Sequence, residues 1–100
     1  MTRRLTALIM IASFGAGGVA QAAGNAAAGK ARSAVCAGCH GDKGQGMGPY
    51  PPLAGKPKAS LVKALKNFKS GRVSSVMHGL AASLSDRDIE NLAAYYASLK

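Results

Sequence analysis

Two thiols and an imidazole fall within five residues at Cys36-Ala37-Gly38-Cys39-His40, and this stretch constrains the chain more than any other. The C-x-x-C-H spacing is that of covalent haem attachment. Each thiol adds across one vinyl group, and the two intervening residues let both sulfurs reach. The next residue, His40, is then held against the iron as its proximal ligand. Three plainer uses compete. A thioredoxin-like redox pair wants a strand-to-helix setting in a βαβ pattern, and nothing here alternates with period two for long enough to be a strand. A zinc site could draw on Cys36, Cys39, His40 and His78, but adjacent Cys39 and His40 rarely converge on one tetrahedral ion. A disulfide is open to any exported chain.

Export is what the first residues suggest. Arg3 and Arg4 form a charged start, Leu5 to Val19 an apolar run, and Ala20-Gln21-Ala22 a small-residue cleavage site. We expect a signal peptide over 1–22, cut after Ala22 or at the neighbouring Ala23, and one domain over 23–100. The apolar run holds Gly15, Gly17 and Gly18 and is short of the roughly 20 apolar residues that a membrane span needs. Thr2-Arg3-Arg4 is a weak twin-arginine match. Export of a folded protein conflicts with haem attachment to an unfolded chain, so the general route into a bacterial periplasm is expected.

The 100 residues carry a formal charge of +9, and removing 1–22 takes away two arginines and no acid, leaving +7. A periplasmic address argues against nucleic acid as the partner of this charge. Acidic protein surfaces, or anionic lipid beside a membrane complex, suit it better. The remaining aromatics are Tyr50, Phe68, Tyr95 and Tyr96, which is thin for a core of this size. A buried macrocycle supplies the missing apolar mass, so the chain without haem is expected to be largely unfolded.

The pattern predicts an all-α fold of three main helices with long loops. Asn25 caps the first, which runs through alanine-rich sequence to about Val35 or into the attachment segment. Gly29 inside it points to a helix crossing closely. Residues 41–55, with five glycines and three prolines, form a loop able to wrap a flat ligand. Ser60–Lys69 is the second helix, with Leu61, Leu65 and Phe68 on one face and Lys63, Lys66 and Lys69 on another. Ser70-Gly71 ends it. Arg72–Leu84 reads as irregular. A capping box at Ser85 and Asp88 opens the third helix, whose buried stripe is Ile89, Leu92, Ala93, Tyr96 and Leu99.

An iron held by His40 on one face takes a second ligand on the other, and methionine sulfur is common in electron carriers. Met47, seven residues from His40, could barely pass the haem edge. Met77 lies 37 residues on, with room to approach from the far side, and His78 is its rival.

Cys36-Ala37-Gly38-Cys39-His40-Gly41, Pro51-Pro52-Leu53-Ala54-Gly55, Phe68-Lys69-Ser70-Gly71-Arg72, and Met77 followed by Leu80-Ala81-Ala82-Ser83-Leu84-Ser85-Asp86 resemble small class I cytochromes c. The likeness is to single-haem bacterial periplasmic members and to one half of their dihaem relatives, over nearly all of residues 24–100. The resemblance implies a cytochrome c fold wrapped around one covalent haem c, with the first and last helices crossing near Gly29 and Tyr96. It implies iron ligands His40 and Met77, a Pro51 carbonyl (or that of Pro52) accepting the other ring proton of His40, and Leu53 and Phe68 in the haem pocket. Lys56 replaces a frequent glutamine and is expected to add surface charge only. The function implied is outer-sphere transfer of one electron between redox proteins, with no enzymatic step. We expect a monomer with lysines around an exposed haem edge, meeting acidic partners.

Overall fold

A computed structural model describes residues 24–73 and 75–99. The expected signal peptide, and the boundary after it, lie outside the described residues. Among the described residues five helices follow in order: α1 Ala26–Arg32, α2 Ala34–His40, α3 Lys58–Lys69, α4 Val76–Ala82 and α5 Asp86–Ser98. Among the described residues the only β pairing is an isolated Met47–Tyr50 bridge, and no helix is long and apolar enough to cross a membrane.

The Asn25 side chain accepts from the Ala28 N–H at 2.9 Å, satisfying one of the orphan donors at the start of α1. Its own N–H donates to Asn91 Oδ1 of α5 at 2.8 Å, so one residue both caps a helix and ties it to another. The helical run does continue into the attachment segment, but with a break at Ser33. There the Ser33 hydroxyl donates back to the Lys30 carbonyl at 2.7 Å, a local bond that competes with regular helix. Gly41, at φ 97°, then turns the chain out of α2, a conformation that costs glycine nothing.

Helix α1 crosses α5 at Gly29. A Cβ there would run into the Asn91 backbone and come within 2.8 Å of Tyr95 Cβ. The crossing therefore falls at Asn91 and Tyr95 rather than at Tyr96, whose ring lies near Cys36 of α2 and Gly44 of the following loop. Capping of α5 follows the expected reciprocal pattern: Ser85 Oγ accepts from the Asp88 N–H, and Asp88 Oδ2 accepts from the Ser85 N–H, each at 3.0 Å. The three acids at this helix start each meet a cation of a neighbouring element. Arg32–Asp88 and Lys58–Glu90 are 3.0 Å apart and Lys69–Asp86 3.8 Å.

Two sequence expectations need correction. Helix α3 begins two residues before Ser60, just after Pro57, whose extended backbone serves as its N-cap. The stretch expected to be irregular contains α4. Seven residues with Val76, His78 and Gly79 give no periodic stripe, and their helix propensity is poor. The helix exists because Ser75 caps it and because Ala81 is buried and Met77 half-buried as α4 packs beside α3. The buried core is Leu61, Ala81, Leu84, Ile89, Leu92, Ala93, Tyr95 and Tyr96. Leu99, expected on the stripe, lies just beyond the helix and is half-buried.

Candidate functional site

Helix geometry gathers the attachment residues. Cys36, Cys39 and His40 stand at i, i+3 and i+4 on α2, and such positions share one face of a helix. That face borders a cavity of about 440 Å³ closed by the 50–56 loop, α3, α4 and α5. Its size lies within the range of small-molecule and cofactor sites. Cys36, Cys39, His40, Pro51, Leu53, Phe68 and Met77 all contribute to its wall. Both cysteines are free and half-buried.

His40 is buried, and its Nδ1 lies 2.8 Å from the Pro51 carbonyl oxygen. A carbonyl can only accept, so Nδ1 carries the proton and Nε2 keeps its lone pair. Pro52 also lines the wall, but the bond goes to Pro51. The loop supplying that carbonyl is held at both ends. Leu53 and Ala54 donate to the Gly44 carbonyl at 2.7 and 2.9 Å, and Gly55 donates to the Tyr96 carbonyl at 2.9 Å. Gly44 has φ 68°, and a Cβ there would meet the Tyr96 ring at 2.7 Å. Proline and glycine, read from the sequence as loop formers, thus hold one acceptor against one ring.

Burial pushes the Cys36 thiol upward, opposed in part by the nearby Tyr96 hydroxyl. The Tyr96 phenol is also raised, chiefly by burial and then by Cys36. Its hydroxyl lies near Cys36 and Ser33 without meeting either in hydrogen-bonding geometry. It is the one buried side-chain polar atom without a partner among the described residues. A buried polar atom without a partner calls for an explanation, and this one belongs to a ring that lines the cavity.

The rival ligands sit elsewhere. Met47 is exposed in the loop. His78 turns away from the cavity, with its Nδ1 2.8 Å from the Phe68 carbonyl. Among the described residues no three of His, Cys, Asp or Glu converge on a point that could hold a metal, which removes the zinc reading. Among the residues lining the cavity, Val35, Tyr50, Val76 and Leu80 are exposed. Lys56, an exposed residue, is the one lysine among those lining residues. Lys63, Lys66 and Arg72 instead line an open groove of about 860 Å³ on the other side of α3, beside the Lys58–Glu90 pair. Asn91 and Tyr95, which fix the helix crossing behind the site, were missed from sequence. An apolar-stripe search passes over asparagine, and a glycine at a crossing does not name its partner.

Haem c needs two thiols within reach of one ring edge, nitrogen or sulfur donors for iron, and apolar walls elsewhere. The cavity holds that donor set, so its residues fit the group. Comparison with known proteins agrees. The family described as cytochrome C oxidase, cbb3-type, subunit III matches residues 21–95. Cytochrome c4 of Pseudomonas aeruginosa is 42% identical over 100% of this chain and 50% of its own length. The chain thus spans about half the length of the cytochromes c4 it matches. Cytochrome c-554(547) of Halothiobacillus neapolitanus is 43% identical over 78% of this chain and 100% of its own. The structure of Acidithiobacillus ferrooxidans cytochrome c4 superposes with TM-score 0.72 at 33% identity, over 75% of this chain and 49% of that one. With a family match over residues 21–95 and a relative covered end to end, the chain belongs to the cytochrome c family, whose cofactor is covalently bound haem c.

Proposed function

We propose that the chain is a periplasmic one-electron carrier in which His40 and Met77 would hold the haem iron. The observation that carries the reading is that one apolar cavity joins both thiols, a His40 ring fixed by Pro51, and Met77. Bound there, haem c supplies a ferric/ferrous couple that exchanges one electron without a bond to substrate.

The protein's own part is positioning. Cys36 and Cys39 would hold the macrocycle through thioethers. The Pro51 carbonyl keeps the proton at His40 Nδ1, which fixes the ring and raises the basicity of Nε2. Leu53, Leu65 and Phe68 exclude water from the cavity. The exposed apolar rim of Val35, Val76 and Leu80 suits brief contact with a redox partner. Lys63, Lys66 and Arg72 suit attraction of an acidic one, at a rate that falls with salt. The leader-like residues 1–22 support the address, and a monomer meets the need for quick release.

Met77→Ala tests the reading in the holoprotein. The expected outcome is loss of the sulfur-to-iron charge-transfer band, a lower midpoint potential and ready binding of carbon monoxide to the ferrous form. Ready carbon monoxide binding by the unaltered protein would instead indicate an open sixth position, as in a haem enzyme or gas sensor.

A further inference from the structure

Met77 and His78 are neighbours that the fold uses in opposite directions. Met77 faces the cavity, while the His78 ring reaches out to the C-terminal end of α3. There its Nδ1–H donates to the Phe68 carbonyl at 2.8 Å, because that oxygen can only accept. The last four carbonyls of a helix have no partner within it. The Phe68 carbonyl takes the Gly71 N–H at 3.1 Å and the His78 ring as well. A Cβ added at Gly71, whose φ is 81°, would come into ordinary contact with that ring.

The bond joins two walls of the site. Phe68 lines the cavity from α3, and Met77 lines it from α4. Helix α4 has only seven residues, too few to hold a helical form or an orientation by itself. The Met77 N–H donates to Ser75 Oγ at 3.0 Å at its start, and Ala81 is buried in the core at its far end. Between these two anchors, the His78 ring supplies the hydrogen bond that joins α4 to α3 beside Met77.

We propose that His78 is a positioning residue for Met77, whose bond to the Phe68 carbonyl sets how firmly the sulfur is presented to the iron. The proposal rests on Met77 being the sixth ligand. The Nδ1–H of His78 is what acts, and an asparagine amide can supply a donor in much the same place.

Imidazole binding to the ferric holoprotein reads the effect directly, since the added ligand must displace the sulfur. We expect His78→Ala and His78→Leu to bind imidazole about fivefold more tightly than the unaltered protein, as the loss of one ordinary hydrogen bond implies. Their sulfur-to-iron band should be weaker. His78→Asn should restore both readouts to within about twofold. The side chain is exposed, so these changes leave no core cavity, and the leucine variant serves should the alanine one fail to accumulate. Unchanged affinity in both donor-less variants overturns the proposal, as does an asparagine variant no better than they are. Met77→Ala separates the two failures. If it leaves the band intact, the ligand reading itself is wrong and this inference falls with it.

Discussion

The α1–α5 crossing and the cavity half of the molecule are built on different terms. At the crossing every contact is protein on protein. Gly29 lets two backbones approach, Asn25 bonds Asn91, and Arg32 meets Asp88. Around the cavity, α3, α4 and the 50–56 loop present apolar side chains that suit a haem rather than one another. One half is packed on itself; the other is shaped for a bound group, and we expect it to depend on that group.

The largest test of that contrast removes attachment altogether. A Cys36→Ala, Cys39→Ala variant should come out without haem and show no cooperative thermal transition by circular dichroism. Hydrogen exchange should then find whatever protection survives in α1 and α5. Protection equal in α3 and α4 would break the comparison. Gly29→Val attacks the other half. A branched side chain against the Asn91 backbone should cost about 3 kcal/mol, read from denaturant midpoints with haem still attached. A variant as stable as the parent would show that the close approach is dispensable.

The smallest effect is at the start of α5. The Ser85 backbone N–H bond holds the Asp88 carboxyl below the usual carboxylate range, against a burial effect that raises it. The Ser85 hydroxyl, Arg32 and Lys69 add to the lowering. A depressed folded value means stabilisation that is complete above the unfolded pKa, about 3.9, and lost as pH falls through the folded one. Asp88→Asn should therefore cost roughly half a kcal/mol near neutrality, since the group is near the surface. The gap between variant and parent should close below about pH 4. A gap that persists at pH 2 would mean that shape, not charge, makes the cap.

Much of the fold was legible because its signals are local. Asn25, the Ser85–Asp88 pair and Ser70-Gly71 mark helix ends through bonds made within a few residues. The period of Leu61, Leu65 and Phe68 gives a face before anything packs on it. Helix α4 was not legible, because its seven residues lack both periodicity and propensity and are helical only against α3. Asn91 was hidden for a similar reason. Its burial depends on a bond to a backbone 66 positions away.

The sequence by itself determined the attachment segment, the class of fold and the short set of groups able to meet iron. Thiol spacing and helix caps act over one turn, and one turn is written in consecutive residues. Only the tertiary structure decided that Pro51 rather than Pro52 faces His40, that Tyr95 rather than Tyr96 meets α1, and that His78 serves α3 while Met77 faces the cavity. Each of these is a choice between adjacent residues. Neighbours of similar chemistry are told apart only by which direction the packed chain leaves open to them.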